Sequence, residues 1–412
     1  MKSRIRQRLV VAPTIVVFAA ALVLAADLAS PRTADPPDHP AELTVHEWGT
    51  FTSVAGENGS AIDWDALGCG SDLPGFVREF GYRGFKWRLR GTVRMETPVM
   101  YFYSPREVEA HVKVAFPQGL ITEWYPQADY EVYQTRGQDG VPRRLGANIN
   151  GIDTSLLSVT GAIEWKHITV QPNTAPVLPA ENAPSRYYAA RETDAAPIAV
   201  GDQHEKFLFY RGVGRFPVPL TVRLSSAGTI LVENRSQDAV PNVILFENRG
   251  GRIGYRNVGA IERAMTIDPP SLDDTFQQLR YDLENILVEQ GLFLKEAQAM
   301  VETWRDSWFE EGARLIYILP SRAIDAILPL RVDPAPVQTT RVFVGRIEIV
   351  TPDTTRSVER ALAAGDAVAL EPYRRFLEPI LARVEPGQPE QANQAARLLG
   401  RLDESTGATP CR

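Results

Sequence analysis

Cysteine is scarce in this sequence, and the short motifs of common catalytic sites are missing. The 412 residues include two cysteines and five histidines. They contain no CxxC pair, nucleophile elbow, phosphate-binding loop or calcium-binding loop, so these motifs give no support for the corresponding redox, hydrolase, nucleotide or calcium sites. The zinc motif HExxH is also absent, because Thr50 stands where the second histidine would be. The sequence therefore leaves metal and cofactor content unknown.

An excess of positive charge is absent as well. The 44 basic residues are outnumbered by 51 acidic residues, which gives a net charge of -7. This balance repels polyanions and argues against nucleic acid as the main partner. Hydrophobic residues make up 44% and charged residues 23% of the chain, which is typical of a globular protein. The length suits two domains of ordinary size.

Residues 1–27 predict a secretory signal peptide or an uncleaved N-terminal anchor. Basic residues open the segment, and an apolar run follows from Leu9 to Ala26. The run is close to the roughly 18 residues that span a bilayer, so both alternatives stay open. Either one places the rest of the chain outside the cytoplasm, as a periplasmic or secreted protein that meets the membrane through this segment alone. Residues 28–43 have the proline-rich composition of a tether.

The two cysteines, Cys69 and Cys411, allow two interpretations. An exported protein folds where a disulfide is stable, so the pair is a candidate bridge between the N-terminal region and the end of the chain. The alternative is two free thiols, of which one lies near the C-terminus.

Hydrophobic patterning predicts the α+β fold class. Short β-branched and aromatic segments, separated by Gly, Pro and Asn, indicate a mainly antiparallel, sandwich-like β domain over residues 44–265. Apolar residues then recur at helical spacing, interrupted by two strand-like runs, and indicate a helix-rich α+β domain over residues 266–412.

The segment VHEWGTFTSVAGENGSAIDW, residues 45–64, predicts a hairpin. Asn58-Gly59 favours a tight type I′ turn, which pairs Ile62 with Ala55 and puts Val45, Phe51 and Glu47 on the core face. A glycine inside a strand is typical of a bulge, however, and a bulge at Gly49 would exchange the two faces upstream of it.

Either His46 or Glu47 should therefore be partly buried. A buried carboxylate needs a cation, hydrogen-bond donors or a metal. The pair is a candidate catalytic site, with a general base or a metal ligand that His167 or His204 would complete. The alternative is a strand histidine or glutamate that makes one hydrogen bond and has no catalytic role.

Basic and aromatic residues mark two candidate ligand-binding segments. In GFKWRLRGTVR, residues 84–94, basic and apolar residues alternate, so one strand face is suited to phosphate, sulfate or carboxylate groups. The opposing interpretation is a solvated edge that discourages sheet aggregation. The second segment lies in the proline-rich loop 171–200, which either shapes a ligand rim or covers a sheet edge. The candidate residues are Arg83, Lys86, Arg88, Arg90, Arg94, Tyr187, Tyr188 and Arg191.

Several segments together resemble an exported bacterial family that has no assigned function. They include VHEWGTFTSVAG, ETPVMYFYSPREV, FPQGLITEWYPQA, YYAARETDAAP, MVETWRDSWFEEG and RVFVGRIEIVTP. The resemblance spans residue 43 to about residue 380 and implies export, but it brings no catalytic residues with it.

Two functions follow as hypotheses. The first is an extracytoplasmic cell-envelope protein that binds an anionic or carbohydrate ligand or partner through the basic strand and the aromatic loop. The second is a hydrolase-like enzyme, with or without the assistance of a metal, centred on His46 and Glu47.

Overall fold

The computed structural model describes residues 42–67, 73–81, 85, 89–135, 140–145, 151–182, 185–384 and 389–406. Residues from Ala41 onward form one compact unit. The predicted signal segment, nearly all of the tether, and both cysteines of the candidate disulfide lie outside the described residues. No helix in the described ranges is long and apolar enough to cross a bilayer.

Strands dominate the described chain up to residue 267. They are β1 (Thr44–Val54), β2 (Arg78–Glu79), β3 (Val93–Tyr103), β4 (Val108–Pro117), β5 (Gly119–Tyr125), β6 (Asp129–Thr135), β7 (Pro142–Arg144), β8 (Val159–Val170), β9 (Ile198–Val200), β10 (Gln203–Glu205), β11 (Leu208–Gly214), β12 (Leu220–Leu224), β13 (Ile230–Asn234), β14 (Val240–Arg249), β15 (Arg252–Ile261) and β16 (Ala264–Ile267). Three more strands follow: β17 (Gly312–Ile318), β18 (Leu330–Asp333) and β19 (Gln338–Ile349).

Helices are concentrated after residue 275. They are α1 (Phe276–Glu289), α2 (Leu294–Trp308), α3 (Ser321–Ile327), α4 (Pro352–Ala364), α5 (Ala367–Leu370), α6 (Leu377–Val384) and α7 (Pro389–Thr406). Two 3₁₀ helices span Arg186–Arg191 and Glu371–Phe376. The prediction of a strand-rich chain with helices toward its C-terminus is confirmed.

One large sheet has the strand order β10-β9-β8-β5-β11-β3-β1-β19-β17-β14-β15, and β12-β13-β16 form a small second sheet. In the large sheet β1 pairs antiparallel with β3 but parallel with β19. The sheet is therefore mixed, because a strand from late in the chain returns beside the first one. Strands from both sides of residue 265 share this sheet. The sandwich arrangement and the division into two domains stay predictions.

Strand β1 lies inside the sheet and is covered on both faces. Val45 and Phe51 belong to one hydrophobic cluster, whereas Trp48 belongs to a second cluster that includes the buried faces of α1 and α2. Ten of the eleven residues of β1 are buried. A strand covered on both sides buries its polar residues whichever way they point, so both His46 and Glu47 are fully buried.

The reversal at Asn58-Gly59 exists, but the predicted register is wrong by one residue. Ala55 pairs with Ala61, and the amide of Gly56 donates to the carbonyl of Ser60 at 2.7 Å. Gly59 adopts a φ of 86°, yet Asn58 does not share the positive φ of a type I′ turn. The Asn58 side chain instead accepts a hydrogen bond from the Ser60 amide at 3.0 Å. This local bond competes with the two-residue turn and produces a longer loop.

The predicted irregularity at Gly49 is present, but the extra residue lies in the partner strand. The β1–β3 register shifts between Trp48 and Thr50, where Thr97 and Pro98 of β3 stand opposite Gly49. The register of β1 with β19 runs without a break. The faces of β1 are therefore not exchanged. Glu47 lies on the same face as Val45, as the sequence interpretation without a bulge in β1 predicted.

A close backbone approach in β19 gives a stability prediction. A Cβ added at Gly345 would lie 2.1 Å from the ring of the buried Tyr317 on β17. We expect Gly345→Ala to lower the free energy of unfolding by about 1–3 kcal/mol, because the packed ring has to move. Gly400→Ala is the control, since its Cβ meets nothing within 4 Å and helix α7 should gain about 0.5–1 kcal/mol. Urea unfolding of both variants measures the difference, and equal midpoints would contradict the packing argument.

Candidate functional site

Glu47 is held in a buried ion pair. Its Oε2 accepts a hydrogen bond from Arg341 Nε at 2.6 Å, and its Oε1 accepts one from the Tyr210 hydroxyl. Arg341 is the residue directly opposite Glu47 on β19. Burial, followed by the charge of Glu47, raises the pKa of Tyr210, so the phenol stays protonated and donates. The cation and donors that the sequence argument requires are thus supplied, and both carboxylate oxygens are engaged.

His46 faces the opposite side of the sheet, toward α2. Its Nδ1 lies 2.8 Å from Oε2 of Glu296, and its ring centroid lies 4.5 Å from that of Phe293 and 5.5 Å from that of Tyr103. Its Nε2 is buried and has no hydrogen-bond partner in the part of the chain that the structure describes. A buried polar atom without a partner typically costs about 1–3 kcal/mol, so a hydrogen-bond donor supplied to Nε2 would stabilise the site.

Glu296 fixes the imidazole. Besides His46 Nδ1, its carboxylate accepts hydrogen bonds from the Tyr103 hydroxyl at 2.8 Å and from the Phe293 amide at 2.7 Å. The amide and the hydroxyl are donors, and we assign the proton of His46 to Nδ1 because a carboxylate accepts. Nε2 is then left with a free lone pair.

The Tyr103 hydroxyl is a donor throughout the ordinary pH range. Burial has the largest effect on its pKa, and the charge of Glu296 and the hydrogen bond to it have the next largest. All three raise the pKa of Tyr103 well above its usual value. The phenol therefore stays protonated and holds one oxygen of Glu296, while the other oxygen serves His46.

Glu296 was not predicted as a site residue, although its position gives a signal. It lies near the start of α2, four residues before the buried Met300 and on the helix face that packs against the sheet. A carboxylate on the buried stripe of an amphipathic helix needs a partner. The sequence alone does not identify that partner, because His46 is 250 residues away.

Tyr103 also lines a surface pocket of about 740 Å³, which we call the Tyr103 pocket. Its walls come from the start of β1, the end of β3 and the segment after the 3₁₀ helix. The lining residues are Glu42, Thr44, Tyr103, Ser104, Pro105, Pro172, Asp194, Ala195, Ala196 and Val337. Asp194 pairs with Lys295 of α2 at 2.5 Å. The volume suits a small ligand.

The predicted basic strand, residues 84–94, is described only in part, and among its described residues only Val93 and Arg94 lie in a strand, β3, so the prediction of a strand is wrong for Arg90. Arg83, Lys86 and Arg88 lie outside the described residues. Arg90 is half-exposed and donates to Glu378 at 2.5 Å. Arg94 is buried and donates to the carbonyl of Ala66 at 3.0 Å. The side chains of Arg90 and Arg94 thus contact partners within the protein, and ligand binding by this segment stays a prediction.

The predicted aromatic loop packs onto the fold. The buried carboxylate of Glu205 on β10 accepts hydrogen bonds from the Tyr187 hydroxyl at 3.0 Å and from Arg191 at 2.6 and 2.9 Å. Arg191 also lies over the ring of Tyr188, 4.9 Å from its centroid. These contacts agree with the second sequence interpretation, in which the loop covers the sheet. They do not bring the loop residues together with Arg90 or Arg94.

A buried charge cluster lies elsewhere on the sheet. Glu96 on β3 accepts hydrogen bonds from Thr52 at 2.6 Å and from Arg375 at 3.1 Å, and Arg94 approaches it at 3.7 Å. Burial alone would raise the pKa of Glu96, but these arginines and the Thr52 hydroxyl outweigh it and hold the pKa at about 2. The adjoining pair of Arg314 and Glu348, 2.9 Å apart, extends the cluster.

No group of three or more His, Cys, Asp or Glu residues within the described ranges is arranged to hold a metal ion. His167, one of the two histidines predicted to join His46, instead bonds to Glu109 at 2.6 Å. The structure therefore offers no ligand set for the metal-assisted hypothesis among these residues.

Comparison with known proteins finds no matching family model and no significant match to a curated protein. Among solved structures, the chain is similar to the yeast delta-COP-I mu-homology domain in complex with a WxWxV peptide, with a TM-score of 0.28, 9% identity, and coverage of 75% of this chain and 98% of that chain. The same yeast domain without the peptide gives a TM-score of 0.28 at 10% identity, with coverage of 76% and 100%. A likeness this weak assigns neither fold nor function.

Proposed function

We propose that the chain is a binding protein of the cell envelope and that a carbohydrate ligand occupies the Tyr103 pocket. The envelope location rests on the predicted export segment. The ligand site rests on one observation: an open pocket of ligand size lies directly beside the buried His46–Glu296 pair, with Tyr103 common to both.

The charge of the pocket supports one of the two proposed ligand classes. Glu42 and Asp194 are the charged residues among its described lining residues, and both are acidic. An anionic ligand would meet the carboxylate of Glu42 and the Asp194–Lys295 pair, which has no net charge, so the lining offers no net positive charge to hold it. Sugar hydroxyls, by contrast, donate well to carboxylates. The hydroxyls of Thr44 and Ser104 add polar contacts, and Pro105 and Pro172 offer apolar surface to a sugar ring. The pocket therefore favours a neutral carbohydrate over an anion.

Asp194 gives the sharpest test of this binding site. We expect a neutral oligosaccharide to bind the wild-type protein, and Asp194→Ala to weaken binding about 10- to 100-fold, because a hydrogen bond to a charged group contributes about 1.5–3 kcal/mol. Isothermal titration calorimetry measures both affinities. A sulfated oligosaccharide of the same length should bind more weakly than the neutral one.

A matched control is available on α2. Asp306 is an exposed carboxylate that pairs with Arg186, as Asp194 pairs with Lys295, but it does not line the pocket. Asp306→Ala should leave the affinity unchanged. If Asp194→Ala binds as the wild type does, or if the sulfated sugar binds as tightly as the neutral one, the proposed site is wrong.

A further inference from the structure

We propose that His46 acts as a general base, positioned by Glu296, for the attack of water on an acyl ester carried by the ligand in the Tyr103 pocket. This activity rests on the proposed binding function and adds a hydrolytic step to it. Glu47, the partner that the sequence suggested for His46, has no part in it, because Arg341 and Tyr210 occupy both of its oxygens.

The pair has the arrangement that a histidine base needs. A base works when a second group fixes its tautomer and its ring orientation and leaves the other ring nitrogen free. Glu296 engages Nδ1 at 2.8 Å, and Nε2 has no partner among the described residues. Both groups come from rigid elements, a central strand and a long helix, which keeps their geometry fixed.

Glu296 is itself restrained. The Tyr103 hydroxyl holds its Oε1, and the Phe293 amide holds its Oε2 together with His46. A carboxylate with three donors around it has little freedom to rotate away from the imidazole. Glu296 is therefore a positioning residue, which acts on the substrate through His46.

Phe293 controls access to His46. Its ring packs against the imidazole, with 4.5 Å between centroids, and 48% of the residue is exposed. It also meets the ring of Tyr103 edge-on at 5.0 Å, and Tyr103 is the residue of this group that lines the pocket. It directly precedes α2, two residues after Gly291, which adopts a φ of 104°. His46 itself is fully buried and does not line the pocket, so the proposed mechanism requires the Phe293 side chain to rotate and open a path from the pocket to the imidazole.

The reaction is an ester hydrolysis with water as co-reactant. His46 Nε2 takes a proton from water as the water oxygen forms a bond to the acyl carbon. The carbon–oxygen bond to the sugar then breaks. The proton on Nε2 passes to the departing sugar oxygen, which restores the neutral imidazole. The products are a carboxylic acid and the sugar alcohol.

Two probe esters test the inference, 4-nitrophenyl acetate and peracetylated glucose. We expect turnover by the wild-type protein and a faster rate for Phe293→Ala, which opens the path to His46. His46→Gln should lower kcat/KM at least 100-fold, in line with the usual effect of a general base. Glu296→Gln should lower kcat with little change in KM and should also change the pH profile of kcat, because the imidazole loses the group that fixes its tautomer.

Glu302→Gln is the matched control, since Glu302 lies on the same helix, is half-exposed, and pairs with Arg280 and Arg305. It should keep the wild-type rate. The inference is overturned if neither the wild type nor Phe293→Ala hydrolyses the esters, or if His46→Gln keeps the rate while its circular dichroism shows a folded protein. Sugar binding that persists without turnover refutes the hydrolytic step alone, whereas loss of sugar binding in the calorimetric experiment refutes the binding function.

Discussion

Glu47→Ala is expected to lower the free energy of unfolding by about 3–5 kcal/mol, one of the largest effects of any single substitution in this chain. Glu47 is fully buried and the side chain of Arg341 is 8% exposed. Removing the carboxylate leaves a buried guanidinium without its nearest counter-charge, and breaking a buried pair in this way carries a cost of that size. Urea or guanidinium unfolding, followed by circular dichroism, measures it.

The second partner of Arg341 supplies the control. Asp325 contacts the same guanidinium at 2.8 Å but is 68% exposed. Asp325→Ala should change the stability by about 1 kcal/mol or less, as exposed ion pairs do. The double substitution Glu47→Gln with Arg341→Met should recover much of the loss, because no uncompensated charge then remains. A loss below about 1 kcal/mol in Glu47→Ala would show that the pair does not stabilise the fold and would reopen a catalytic role for Glu47.

Acid is expected to weaken the fold through Glu96. The pKa of Glu96 is about 2 in the folded protein, compared with 4.5 for an ordinary glutamate. A lowered carboxyl pKa stabilises the folded state above pH 4.5, and this contribution is lost as the pH falls from 4.5 toward 2. The difference corresponds to about 3 kcal/mol at neutral pH.

Glu96→Gln tests this pH dependence. The variant should be less stable than the wild type at pH 7, and the gap should narrow as the pH falls toward 2, because the wild-type carboxyl then becomes protonated. Glu302→Gln, a change at a half-exposed glutamate of α2, should stay close to the wild-type curve, because its ion pairs with Arg280 and Arg305 are open to solvent. Unfolding midpoints measured across this pH range give the comparison. A gap between Glu96→Gln and the wild type that does not change with pH would contradict the assignment.

Sequence reasoning identified the most informative segment of the chain for a partly wrong reason. It expected one of His46 and Glu47 to be buried by a hairpin, because Asn58-Gly59 is a strong turn signal. Both are buried instead because β1 is an interior strand between β3 and β19. The pairing with β19 joins residues about 294 positions apart, and local patterns contain no information on such a contact.

The same limit applies to the candidate site. Periodicity predicted α2 and its apolar face correctly, including Met300 and Trp304. It did not show that Glu296, which lies on this buried face, is the hydrogen-bond partner of His46. That contact depends on how α2 docks on the sheet, which is determined by packing across the whole chain.

The alternation of basic and apolar residues over 89–94 does not determine the environment of the basic side chains. The spacing of Arg90 and Arg94 separates them from the apolar positions Leu89 and Val93. This spacing does not show which parts of the protein contact the side chains of the two arginines. In the structure Arg94 is buried beside Glu96, whereas Arg90 meets Glu378 of α6 at the surface. The two arginines thus have different environments, because Arg94 lies in the interior strand β3 whereas Arg90 precedes that strand.

The most direct test of the His46–Glu296 pair is a nitrogen-15 NMR spectrum of histidine-labelled protein at neutral pH. We predict that Nδ1 of His46 carries the proton and that Nε2 does not, and that the Nε2 resonance shifts when a neutral oligosaccharide is added. The Glu296→Gln variant should lose this tautomer preference. A proton on Nε2 in the wild-type protein, or a His46 resonance that does not respond to a bound sugar, would contradict the account.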